Sequence, residues 1–166
     1  MPRRSFLVSM LLFLFLLCPL LQSHSGELPR VLIQRGERFL AMGKYPAAIR
    51  NYSKVIECCE GTAEAAEAHN DLGVVHARQG DMTKAMQEYE AALSKAPYPL
   101  AHFNLGKAHA DIYTASRDES SRIMALRHLR AFRVYLVAGE DLPSVVSYQR
   151  DEIQTYLDST LSQLSE

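Results

Sequence analysis

Residues 66–97, AEAHNDLGVVHARQGDMTKAMQEYEAALSKAP, decide how this chain folds. Within them Leu72-Gly73-x-x-His76 is followed, twelve residues after its glycine, by Ala85-x-x-x-Tyr89, with the turn glycine Gly80 between. The same register stands upstream as Arg35-Gly36-x-x-Phe39, then Gly43, then Ala48-x-x-x-Tyr52. Downstream, Leu105-Gly106-x-x-His109 repeats the opening motif. Gly36 and Gly73 are 37 residues apart and Gly73 and Gly106 are 33 apart, so one unit recurs through most of the chain. The composition agrees: no tryptophan, eight glycines, and alanine and leucine in excess, which suits helices better than strands. At 166 residues the chain has room for one compact domain.

The spaced positions resemble the tetratricopeptide pattern W-x2-L-G-x2-Y, A-x3-F, P, whose period is about 34 residues. Ala66 to Pro97 is the best copy, with Leu72, Gly73, Gly80, Ala85, Tyr89, Ala92 and Pro97 in place. The first copy, about Pro29 to Gly61, lacks the leucine before Gly36 and has Glu60 where proline is usual. In the third, nineteen residues separate Gly106 from Ala125, seven more than in the others, so Ile112 to Ser121 form a longer connection or extend a helix. The resemblance implies an all-α fold, a short right-handed superhelix of about three helix pairs with a C-terminal capping helix. Small residues such as Gly73 and Ala85 let paired helices approach closely, while Phe39, Tyr52, Tyr89 and the leucines fill the space between layers. The expected organisation is a signal segment over 1–25, three repeats within 26–142 (about 29–62, 66–98 and 99–138), and a capping helix over 143–166. In that last segment Val146, Ile153, Leu157, Leu161 and Leu164 keep a helical stripe, and Pro143 suits a first turn.

The N-terminus reads as an export signal. Arg3 and Arg4 precede an apolar run from Phe6 to Leu17, and Ser23 and Ser25 offer small residues for cleavage. A permanent anchor needs about 20 apolar residues, and Pro19 interrupts a shorter run. Twin-arginine export and a lipid anchor on Cys18 are weaker readings, because the core is rich in leucine and phenylalanine and no small residue precedes the cysteine. Cleavage after Ser25 removes Arg3, Arg4 and no acid, leaving 16 basic against 19 acidic groups and a formal charge of −3. That balance disfavours nucleic acid as a partner. The expected location is outside the cytoplasm, in a bacterial periplasm, with a retained anchor as the alternative.

No phosphate-cradling loop, nucleophile elbow or metal-ligand cluster is legible, so the chain reads as non-enzymatic, with no cofactor and no metal. His69, His76, His102 and His109 recur in matching slots, but each pair is seven residues apart, about 10 Å along a helix, whereas zinc ligands on one helix sit three or four apart. They read as packing residues, with a pH-sensitive loosening of the stack as a side expectation. Cys58 is expected to pack and Cys59 to be exposed, with a vicinal disulfide or a cross-link between copies as alternatives. Arg122, Arg127, Arg130 and Arg133 share one side of a helix, a solvated face or a surface for an acidic partner or anionic lipid. Asn51-Tyr52-Ser53 is a glycosylation sequon by chance, since Tyr52 should be buried.

The resemblance also implies a working surface. First helices of such repeats line a groove for a peptide or a partner's helix, here Ile33, Glu37, Leu40, Asn70, Val74, Arg78, Phe103, Lys107 and Asp111. Asn104 matches a slot from which asparagine bonds an extended peptide backbone in some members, and Asp71 takes that slot in the preceding repeat. Members that clamp a terminal carboxylate use basic residues where Ile33, Glu37 and Leu100 stand here, which disfavours that role. The implied function is protein binding by an exported scaffold that aids assembly of an envelope or secretion complex. A structural subunit held at a membrane by its N-terminal segment is the alternative.

Overall fold

Prolines and short polar side chains set where the helices begin. A computed structural model describes residues 27–139 and 149–166. Its elements, all helical, are α1 (Pro29–Ala41), α2 (Tyr45–Cys58), α3 (Ala63–Arg78), α4 (Met82–Lys95), α5 (Pro99–Ser116), α6 (Glu119–Ala138) and α7 (Arg150–Ser165). Pro29, Pro46 and Pro99 lie in first turns, where the missing N–H has no helical partner to lose. Three others are capped by side chains: Thr62 accepts from the Ala65 amide at 3.1 Å, Asp81 from Lys84 at 3.1 Å, and Asp118 from Ser121 at 2.8 Å, while α7 starts after Gln149 without a side-chain cap. The segment 1–25, and the Pro143 start expected for the last helix, lie outside the described residues. Among those described, no helix is long and apolar enough to cross a membrane.

The turns inside the first two pairs are built alike. Gly43 and Gly80 adopt φ of 69° and 83°, a region that costs a side chain but not glycine. Each lets the next amide close the helix end, Lys44 N to Phe39 O at 2.8 Å and Asp81 N to His76 O at 3.0 Å. The third pair has no such glycine, and Arg117 takes the left-handed conformation instead. Its seven additional residues lengthen the helices: α5 has 18 residues against 16 in α3, and α6 has 20 against 14 in α4.

Neighbours in sequence pack as neighbours in space, α1 on α2 through α6 on α7, and α3 also touches α1. The result is an all-α helical-repeat superhelix with one extended core. Ile33, Tyr52 and Val75 anchor its first part, Tyr89 and Leu105 its middle, and Phe132, Leu157 and Leu161 its end. Each pair closes on a glycine. A Cβ on Gly36 would stand 2.5 Å from the Tyr52 ring, on Gly73 2.5 Å from the Tyr89 ring, and on Gly106 2.6 Å from Leu129. No side chain fits those gaps.

The last helix is fastened at both ends to α6. Arg150 donates to the Leu136 carbonyl at 2.5 Å, and Arg122 donates to the Leu164 carbonyl at 2.7 Å, so each arginine satisfies an orphan carbonyl at the other helix's C-terminus. Arg122 therefore leaves the predicted arginine face, while Arg127, Arg130 and Arg133 stay exposed beside Ile123, Val134 and Val137. The expected packing of the cysteines is reversed. Cys58 is exposed at the last residue of α2, Cys59 is half-buried, and the two are joined in a vicinal disulfide. Asn51 and Tyr52 are both buried within α2, as expected of a chance sequon.

Gly73→Ala is the direct test of the packing. The added methyl meets the Tyr89 ring and, at 3.0 Å, the Ala85 backbone oxygen. Overpacking of this kind costs about 1–3 kcal/mol, opposed by about 1 kcal/mol from alanine's helix propensity. Urea unfolding should show a net loss of about 1–2 kcal/mol; a stabilised variant would show that the ring is free to move.

Candidate functional site

The first helix of each pair, α1, α3 and α5, carries the residues from which the groove was expected. Glu37, Arg78, Lys107 and Asp111 are exposed, and Val74, Phe103 and Asn104 are half-buried. Three expected lining residues belong to the interior instead: Ile33 is 0% exposed, Asn70 2% and Leu40 9%. Ile33 and Leu40 pack with Ala68, Leu72 and Val75 of α3, because α1 has α2 on one side and α3 on another and its apolar positions serve both contacts.

Asn70 forms part of the floor through its hydrogen bonds. Its amide donates to Asp71 Oδ1 at 3.3 Å, and its own Oδ1 accepts from the Asn104 amide at 2.9 Å. The two repeats are thus joined by a carboxamide chain. It also orients Asn104: one N–H of its amide is engaged, leaving its second N–H to donate to a partner's backbone and its carbonyl oxygen to accept from it. The carboxylate in the equivalent slot one repeat earlier, Asp71, is largely buried. Its Oδ2 has no hydrogen-bond partner, nor does the nearby Tyr52 hydroxyl. Burial, with the charge of Glu67 beside it, pushes the Asp71 carboxyl up to about 7. Burial and then Glu67 also raise Glu37, while Glu67 itself is paired with Arg30 at 2.8 Å. This end of the surface carries three acids and one compensating arginine.

At the other end the surface is partly covered by the protein itself. The Phe103 ring packs 5.0 Å from Phe132 and edge-on to Tyr156 of α7 at 5.7 Å. Lys107 Nζ lies over both Phe103 and Tyr156, at 5.8 and 5.6 Å. Arg78 reaches back to the Leu40 carbonyl at 3.4 Å. The accessible polar groups are therefore Glu37 on the first repeat, Arg78 on the second, and Asn104, Lys107 and Asp111 on the third.

The histidines do different things in different repeats. His69 pairs with Glu88 of α4 at 2.8 Å. His102 meets His128 of α6, Nδ1 to Nδ1 at 2.9 Å, so one ring donates and the other accepts. His109 stacks on His128 with ring centroids 6.2 Å apart, and both its nitrogens are sealed without partners. Burial lowers all three; His128, next to the other two and to Arg127, falls to about 4. His128 has no counterpart in the repeat motif, so sequence reading passed over the residue that gathers this cluster.

A family model described as tetratricopeptide repeat matches residues 33–99, from within α1 to the first residue of α5. No curated protein sequence matches the chain.

The two buried systems respond oppositely to pH. Asp71, raised in the fold, withholds no stability below its unfolded value near 3.8 and weakens the fold as pH rises toward 7. Asp71→Asn should therefore gain about 1–3 kcal/mol over the natural chain at pH 8, with the difference vanishing near pH 4. The histidines, lowered in the fold, weaken it as pH falls below their unfolded value near 6.5. With the aspartate effect removed, the Tm of Asp71→Asn should drop steadily from pH 7 to pH 5. A flat or rising Tm there would show that the buried rings accept protons without cost.

Proposed function

Because residues 33–99 belong to the tetratricopeptide-repeat family, we propose that the chain is a non-catalytic scaffold holding an extended peptide or a partner's helix on the face of α1, α3 and α5. The observation that carries this is the disposition of Asn104. One N–H of its amide is bonded to Asn70, and its second N–H and its carbonyl are left to pair with a peptide backbone, between the acidic end at Glu37 and the mixed pair Lys107 and Asp111. A mixed, two-signed rim over an apolar floor suits a segment carrying both charges and gives specificity more than raw affinity.

The chain works, in this proposal, outside the cytoplasm of a bacterium and assists assembly of an envelope or secretion complex. Arg3 and Arg4, the apolar run Phe6–Leu17 and the small residues Ser23 and Ser25 support export. The same apolar run supports the second reading, a structural subunit kept at the membrane by an uncleaved segment.

One experiment separates these. The natively expressed chain and a Glu37→Lys, Lys107→Glu variant, both checked for folding, are cross-linked in cells, captured and sequenced from the N-terminus. Partners held by the natural chain and lost by the variant support the groove; an identical partner set rejects it. A mature N-terminus near Gly26 supports export with cleavage, one at Met1 with carbonate-resistant membrane binding supports the anchored subunit, and a soluble cytosolic chain rejects both locations.

A further inference from the structure

The chain has a second concavity, on a different side of α5 from the groove residues. The last turn of α4, the turn at Ala96 and Pro97, and α6 form with His102 a solvent-open cavity of about 580 Å3. Its polar lining is Ser94, Lys95, His102, Arg127, His128 and Tyr135, and Leu93 and Pro97 give it an apolar side. Two features distinguish it from an ordinary surface dent: its charged lining is of one sign, and its size falls in the range of small-molecule sites, roughly 300–1,000 Å3.

The lining holds two cations and no carboxylate. Lys95 has as its partner Glu60, which is 79% exposed, a surface pair that a better-placed anion can displace. Arg127 makes no ion pair among the described residues. Neutral donors surround these charges. In the His102–His128 contact one Nδ1 accepts, so that ring carries its proton on Nε2 and has a second N–H to give. Neither Nε2 is among the sealed, unpartnered atoms. The hydroxyl of Tyr135 adds to the set, whereas that of Ser94 already donates to the Ala91 carbonyl at 2.7 Å.

We propose that this cavity binds an oxyanion, a carboxylate or phosphate carried on a compact apolar body, held by Lys95 and Arg127 with the histidine pair and Tyr135 as neutral donors. The charge-assisted bonds supply the affinity, and the Leu93 and Pro97 side takes the apolar body. Binding is linked to protons. The charges facing the histidine pair are Arg127 on α6, Lys95 on α4 and, if protonated, His109 on α5, while Glu90 and Asp118 act on His109 from α4 and from the turn before α6. Burial first, and then the positive charge of Arg127, hold the pair neutral. An anion beside them reverses that balance, draws a proton onto the pair and tightens as pH falls.

The test uses the folded natural chain with phenyl phosphate and benzoate as separate probes, at constant ionic strength, followed by calorimetry and by the histidine ring resonances. Saturable binding of either probe is expected, with shifts at His102 and His128, about tenfold weaker in Arg127→Gln and unchanged in Arg130→Gln on the exposed side of the same helix. Benzoate, whose own charge is constant over the range, should bind more tightly at pH 6.5 than at pH 8. The ratio of the two affinities identifies the oxyanion. Absence of saturation with both probes, an unchanged affinity in Arg127→Gln, an equal loss in Arg130→Gln, or benzoate binding that does not tighten on acidification overturns the proposal. None of these outcomes depends on whether the groove holds a peptide.

Discussion

Everything in this molecule hangs from the distance at which paired helices meet. Gly36, Gly73 and Gly106 face Tyr52, Tyr89 and Leu129 across gaps that would not admit a methyl group. With the backbone so close, each large side chain lies flat against the facing helix and is almost wholly buried, Tyr52 at 0% and Tyr89 at 4% exposure. Dispersion contacts of this density are weak individually and large in sum. The same approach determines what reaches the next pair: the Tyr52 ring, pressed onto Gly36, places its hydroxyl near Asp71 of the following repeat.

Stability in such a stack is shared between neighbours, so the ends matter as much as the middle. At the C-terminal end α7 covers the apolar face of the third pair with Leu157, Leu161 and Leu164, and two arginines bind it to α6. Tyr156 of the same helix reaches over Phe103 and Lys107. Capping the stack thus narrows the working face at the end nearest α7.

Polar interior groups gather in two places. Asn70, Asn104 and Asp71 lie where the second and third repeats meet, and His102, His109 and His128 lie between the two helices of the third pair. Both contain groups that would be better solvated outside: a carboxylate oxygen without a donor, and imidazoles without partners. Their titrations oppose each other: raising the pH toward 7 costs stability at Asp71, and lowering it below about 6.5 costs stability at the histidines.

The repeat spacing and the glycine and aromatic positions are local properties of the chain, and the helix pairs, their turn glycines and the all-α class follow from them without any knowledge of contacts. The periodicity also marked the apolar face of each helix. It could not say which neighbour that face would meet. Ile33, Leu40 and Asn70 share a helix with true surface positions, and only the packing of neighbouring helices turns them inward. Arg122 looked like one of a row of surface arginines until the end of α7 came to rest beside it. His128 lies outside the repeat motif, and its meeting with His102, 26 residues earlier, is made by the packing of α6 on α5. A sequence records period and chemistry; which side chains become partners depends on helix crossing and on solvent exclusion, and those exist only once the chain has folded.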